Sequence, residues 1–257
     1  MLKEIIISVQ AYIHAHRFIM KNKLWKWIII PGFIYTILFI TGIVFFWQSS
    51  NAAIEWILMT SGVRNWLDNI QNNWLGFFFV VGNIIFRLLT LIIYVSFFKY
   101  FFLIIGSPVF SLLSEKTNSI IENKSYHFDL PQLMKDIMRA IGVSLRNLLW
   151  QSVYLISLLI LSFIPVLGWI VPIVASFLDC YYVGFSMLDY NSARNNIKPS
   201  ESMDIINHHK GMAIGNGMIF YMAHLVPFIG WVLAPGYAVI SATISLHQAR
   251  KKSIITI

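Results

Sequence analysis

The sequence predicts an all-α integral membrane protein. The expected architecture is two long transmembrane helices, two hemi-penetrating helical hairpins with Pro/Gly turns, and interfacial amphipathic helices. Three observations carry this. Of 257 residues, 58% are hydrophobic and 12% charged, about half the charged share of a soluble domain, so too few charges remain to coat a soluble particle. Several apolar stretches reach the roughly 20 residues that cross hydrocarbon as a helix. The basic residues behind the net charge of +8 lie mostly between those stretches. Disorder and nucleic-acid binding are disfavoured, because no polar surface accompanies the positive charge. The single cysteine, Cys180, excludes an internal disulfide.

Residues 1–26 show a helical period, with Ile5, Ile6, Val9, Tyr12, Ile13, His16, Ile19 and Met20 on one face. Such a helix lies in the bilayer interface or packs on another helix. Residues 27–47 carry no charge and form the first transmembrane helix, with Pro31 in its opening turns. Segment 48–73 carries Trp56 and Trp66, flanked by Trp47 and Trp74, a headgroup-level aromatic belt. Residues 74–105 form a second helix, too long for one perpendicular span, with Arg87 and Lys99 inside it.

Residues 106–146 read as cytoplasmic helices. Ser107 and Pro108 suit an N-cap and first helical position, and Asp129 with Pro131 starts the next helix. Regions 147–188 and 212–247 each contain a Pro-Gly-Trp turn: Pro165, Gly168 and Trp169 in one, Pro227, Gly230 and Trp231 in the other. Those turns are apolar, which predicts hairpins that enter the bilayer and return, with four short complete spans as the alternative. The whole reads as one membrane domain, 1–257. Lys3, Arg17, Lys21, Lys23 and Lys26 precede the first span; Arg250, Lys251 and Lys252 end the last. By the positive-inside rule both termini are cytoplasmic and 48–73 faces outward.

Taken in order, GSPVFSLLSEKTNSIIE (106–122), DLPQLMKDIMRAIGVSLRNLL (129–149), IPVLGWIVP (164–172) and VPFIGWVLAPGYAVISATISL (226–246) resemble the CysZ-type sulfate permease family, grouped with the etoposide-induced membrane proteins. The resemblance implies two long transmembrane helices, two hemi-penetrating hairpins, homo-oligomers, and sulfate uptake for sulfur assimilation in the inner membrane. It also implies an anion-binding Gly-x-Arg-Arg segment before the first long helix. Lys23, Leu24, Trp25 and Lys26 match that segment. Lysine stands for the glycine, tryptophan for the first arginine and lysine for the second. Lysine attracts an oxyanion without arginine's bidentate fork, and losing the glycine reduces backbone freedom.

Lys23 and Lys26 sit at a helix N-terminus, where free amides and the dipole favour anions; the plain reading is a positive-inside anchor. Arg87 falls near mid-bilayer and Asp179 is its candidate partner, as a buried pair or as part of an anion path. Lys99 is expected to reach the cytoplasmic interface. Ser107, Ser111 and Ser114 share one helix face, so they line an anion vestibule gated by Glu115 and Lys116, or simply a solvated surface. His14, His16, His208 and His209 have no acid or thiol at ligand spacing, so no metal site is expected. The run GMAIGNG (211–217) lacks the lysine of a phosphate loop, and Gly211 with Gly215 fits close helix packing. No catalytic order of side chains is present, and no cofactor motif. The function expected is a permease or channel for a small oxyanion, sulfate above others, with lipid as its surroundings and no nucleic-acid partner. The alternative is a non-transporting structural or adaptor membrane protein; a membrane-embedded enzyme is a distant third.

Overall fold

The computed structural model describes residues 1–60, 73–126, 128–162, 170–194 and 197–251. Among them are eight helices and no strand: α1 (Leu2–Asn22), α2 (Trp25–Thr60), α3 (Asn73–Ile121), α4 (Leu130–Ser162), α5 (Val171–Arg194), α6 (Pro199–His208), α7 (Lys210–His224) and α8 (Ile229–Lys251). Four segments of the described residues are long and apolar enough to cross a membrane: Trp25–Ala52, Phe98–Ile121, Val171–Ala193 and Ile229–Lys251. Arg64, Trp66 and the Pro165, Gly168, Trp169 turn lie outside the described residues. So do Lys252 and the side chains of Trp74 and Arg87.

Two helices outrun their expected bounds. The first span, expected over 27–47, belongs to a helix of 36 residues, about 54 Å at 1.5 Å per residue. The expected break at residue 106 does not occur. α3 is continuous for 49 residues with Pro108 inside it, so Ser107 is not an N-cap. The reason is local. Pro108 has no N–H to give the carbonyl of Ile104 four residues back. The Ser107 hydroxyl donates to that carbonyl instead, at 2.8 Å, and the turn holds.

The chain forms two compact units, Ile37–Lys99 and the remainder, Met1–Thr36 with Tyr100–Ile257. In the former, Thr41 Oγ1 donates to the carbonyl of Ile37 (2.8 Å), and Phe39 and Phe98 meet edge to face at 5.3 Å. Lys99, expected to reach the interface, is buried.

The larger unit is built by close backbone approach. α5 and α7 make the most extensive packing. A side chain at Gly184 would fall on the Ala213 carbonyl, and one at Gly217 on the Cys180 carbonyl, so each helix gives the other a glycine. Small residues let helices gain dispersion contact where lipid removes the hydrophobic drive. α1 crosses the α7 glycines. Gly211 abuts Met1 and Glu4, and Gly215 abuts Ile5 and Ser8, so the glycine run is a packing device.

α1 divides its apolar residues between two faces. Its buried stripe is Ser8, Ala11, Ala15 and Ile19 together with Ile7, set against α7 and α8. Ile6, Val9, Ile13 and Met20 point outward and are exposed. The small residues meet protein and the large ones are left for lipid. Glu4 reaches the start of α7, accepting from the Gly211 N–H (3.1 Å) and meeting His209 Nδ1 at 2.8 Å. A carboxylate there complements the helix dipole.

At the start of α4, Asp129 is the expected cap: its carboxylate stands 3.5 Å from the Gln132 N–H. The turn between α7 and α8 holds Phe228 at φ 59°. Trp231 Nε1 donates to the His224 carbonyl at 3.1 Å. Gly230 is needed there, because a Cβ would strike the Ala223 carbonyl. Leu225, Val226, Phe228 and Ile229 are exposed at the tip, an apolar end suited to hydrocarbon.

Candidate functional site

The segment matched to the family's anion motif is the joint between α1 and α2. Lys23 caps α1 in the left-handed conformation (φ 53°, ψ 40°). The backbone takes the glycine-type conformation with lysine in place. A non-glycine residue pays about 1–2 kcal/mol for it. Leu24 is buried (1% exposed) and its carbonyl accepts from the Trp27 N–H (3.0 Å). Trp25 turns to α8, tilted against Tyr237 at 6.5 Å, and Tyr237 OH pairs with His16 Nδ1 at 2.8 Å. Lys23 and Lys26 are exposed, with no acid partner among the described residues. The motif therefore divides: Leu24 and Trp25 anchor the joint, while Lys23 and Lys26 are open to solvent or ligand.

Beside this joint lies the start of a polar seam between α3 and α8. Lys116 Nζ sits 4.4 Å from the Trp27 ring centroid and 5.9 Å from that of Tyr126, a cation held by aromatic faces. Ser107, Ser111, Ser114 and Thr117 are all fully buried (0%), which replaces the solvated surface that sequence left open. They do so in different ways. Ser107 serves the Ile104 carbonyl and Thr117 the Leu113 carbonyl (2.7 Å). Ser114 Oγ meets Thr243 Oγ1 across the seam at 3.0 Å. Ser111 Oγ is buried with no partner among the described residues. Glu115 stands on the same helix, partly buried.

Seven residues beyond Thr243, hence two turns along the same face of α8, is Arg250. Its Nε and Nη2 are both buried and both lack a partner among the described residues. Those two donors form one edge of the guanidinium, the edge that grips a carboxylate or an oxyanion with parallel bonds. Glu122 of the α3–α4 connection is its electrostatic neighbour. Sequence reasoning counted Arg250 only as a positive-inside anchor. Thr243 was passed over as part of a small-residue run. The available signal was the row Ser241, Thr243, Ser245 followed by Arg250 on an otherwise apolar helix.

Asp179 receives the Gln151 Nε2 at 2.6 Å, and Tyr100 OH donates to Gln151 Oε1. Arg87, the candidate partner of Asp179, has its side chain outside the described residues. A further charged network was not foreseen. Arg139 Nε and Nη2 donate to Asp189 Oδ2 and Oδ1 at 3.2 and 2.7 Å, and Nη1 donates to the Ile197 carbonyl. Ser202 Oγ adds a bond to Asp189 Oδ1 at 2.6 Å. The charge of Arg139 is met by Asp189, and the pair joins α4, α5 and α6.

Three features stand out along α2, α3 and α8: exposed lysines before α2, a buried hydroxyl on α3 and a buried guanidinium edge on α8, the last two without a partner among the described residues. An oxyanion supplies the acceptors that such donors lack. Residues 11–235 match the family described as sulfate transporter CysZ/etoposide-induced protein 2.4. The chain is 25% identical over 185 residues to a sulfate transporter CysZ of Pseudomonas paraeruginosa, covering 70% of this chain and 75% of that protein. Against the protein of that name from Pseudomonas syringae pv. tomato the figures are 25% over 184 residues, 70% and 72%. For that of Vibrio parahaemolyticus they are 24% over 181 residues, 67% and 70%.

Proposed function

The chain belongs to the sulfate transporter CysZ/etoposide-induced protein 2.4 family, and from that premise we propose that it is a permease or channel for a small oxyanion, sulfate above others, supporting sulfur assimilation. It works as a homo-oligomer in the inner membrane with both termini cytoplasmic. In this reading the long α2 and α3 cross the bilayer, and the α4–α5 and α7–α8 hairpins penetrate it in part. The observation that carries the site is the α3–α8 seam, where Ser111 and Arg250 hold buried donors without acceptors among the described residues.

The division of labour follows from the chemistry. Lys23 and Lys26 raise the local anion concentration at the α2 start, where helix amides add a partial positive charge. The hydroxyl of Ser111 and the Arg250 edge replace hydration inside the seam. Met singly along the seam, one hydroxyl or one guanidinium holds a divalent oxyanion weakly enough to release it, which permeation requires. Lys116, held on Trp27, adds a further cation on α3.

Uptake of radiolabelled sulfate into proteoliposomes tests this. The expected result is uptake above that of empty liposomes, reduced by unlabelled sulfate. Uptake equal to empty liposomes, with orientation and assembly verified, sinks the reading.

A further inference from the structure

Away from the seam, α4, α5, α6 and α7 enclose a groove of about 420 Å³. One end is polar: Arg146, Asn147, Asn207 and Lys210 line it, and Tyr181 OH donates to Asn207 Oδ1 at 2.7 Å. The other end is aromatic and aliphatic, with Trp150, Tyr154, Val174 and Phe177, all exposed. No acidic side chain lines it. Asn147 is the telling residue. It is 1% exposed, yet neither its Nδ2 nor its Oδ1 has a partner among the described residues. A buried amide with both ends unmet costs about 1–3 kcal/mol for each unmet group. Such a group in a native structure calls for a partner from outside the chain, a water, an ion or a ligand.

We propose that this groove binds an anionic phospholipid, with the phosphate between Arg146 and Lys210 and an acyl chain along Trp150, Tyr154, Val174 and Phe177. Charge complementarity decides the class. Two cations without a counter-acid take an anion. The apolar wall continuous with the exposed outer face of α4 and α5 takes a chain, which inorganic sulfate or phosphate lacks. The amide of Asn147 offers a donor and an acceptor to a headgroup's oxygens and hydroxyls, as with a glycerol headgroup. The cations lie on the sides that the positive-inside rule assigns to the cytoplasm, where the leaflet is anionic. None of these residues belongs to the α3–α8 seam, so the proposal stands apart from the permease reading.

The test uses the full chain, delipidated in an uncharged detergent and titrated with phosphatidylglycerol, phosphatidylcholine, glycerol phosphate or inorganic phosphate. Bound lipid is read by native mass spectrometry and by thermal shift. Phosphatidylglycerol is expected to bind at least about tenfold tighter than phosphatidylcholine, with no effect of the two chainless anions at the same concentration. Lys210→Gln changes an exposed side chain and leaves the fold intact. It is expected to weaken phosphatidylglycerol about fivefold, and Arg146→Gln with Lys210→Gln about thirtyfold. Asn147→Leu is expected to leave the lipid-free melting temperature unchanged or higher while weakening the lipid, a split that a purely structural amide does not give. Equal binding of the two lipids overturns the proposal. So does binding of phosphatidylglycerol untouched by Lys210→Gln. A shift from inorganic phosphate alone assigns the groove to a free anion. Occlusion of the groove by a second copy in the delipidated protein assigns it to self-association.

Discussion

Replacing Arg139 by alanine should destabilise this protein more than almost any other charge deletion in it. Arg139 and Asp189 are 11% and 5% exposed, and the guanidinium spends three of its donors on Asp189 and the Ile197 carbonyl. Removing it strands a buried carboxylate whose remaining described partner is the Ser202 hydroxyl. Breaking a buried pair in this way costs about 3–5 kcal/mol. At roughly 2–4 °C per kcal/mol for a chain of this size, the apparent melting temperature falls by roughly 6–20 °C. The contrast is Lys124→Ala, whose pair with Glu122 is 72% and 32% exposed; there the loss is about 0–1 kcal/mol. A double change, Arg139→Met with Asp189→Leu, removes both charges and should recover most of the loss. The assay is thermal unfolding in one detergent at fixed protein concentration. An Arg139→Ala protein melting within about 2 °C of the parent would refute the reasoning, because a charge left behind in a dry site cannot be that cheap.

Other expectations follow from the same structure. Gly217→Ala drives a methyl into the Cys180 carbonyl and should cost about 1–3 kcal/mol. Gly142→Ala, with nothing within 4 Å, should gain about 1 kcal/mol in the same unfolding assay. Lys23→Gly relieves the left-handed lysine (φ 53°) and should stabilise by about 0.5–1 kcal/mol, while sulfate uptake falls through the lost cation; unchanged stability contradicts the αL assignment. Ser111→Ala should leave stability equal or improved, since the hydroxyl is unpaired, yet lower uptake about 2–10-fold. Arg250→Gln should lower uptake about tenfold or more, a charged donor pair being worth more than a neutral one. Uptake indifferent to both substitutions moves the oxyanion path out of the α3–α8 seam.

Helices were legible because a span of about 20 apolar residues has few other uses. Their ends were not, and Ser107–Pro108 shows why. A serine followed by proline is good chemistry for starting a helix. The same pair also repairs a helix interior, with the hydroxyl taking the carbonyl that proline abandons. Local sequence is identical in the two cases, and the flanking turns decide. In α1 the limit was a different one. In water the largest apolar residues mark the buried face, but in lipid the small ones do. Ala11 and Ala15 were therefore the better guide to contact than Ile6 and Ile13.

For the site, spacing along one helix was informative and partnership across helices was not. Ser107, Ser111 and Ser114 could be put on one face from their spacing. Nothing in the sequence said that Thr243, 129 residues from Ser114, would consume one of those hydroxyls and leave Ser111 unpaired. Cations show the same limit. Arg139, Lys116 and Arg250 all fall in segments that a positive-inside count assigns to anchoring. Arg139 is spent on a carboxylate and Lys116 rests on aromatic rings. Arg250 keeps an edge of two buried donors without an acceptor among the described residues. Burial without a partner is a property of the packed seam rather than of the residue type. It distinguishes a cation available to an oxyanion from one already satisfied. That is why the strongest candidate for substrate contact is an arginine with no motif around it, while the residues aligned to the family's anion motif split between packing and an exposed approach.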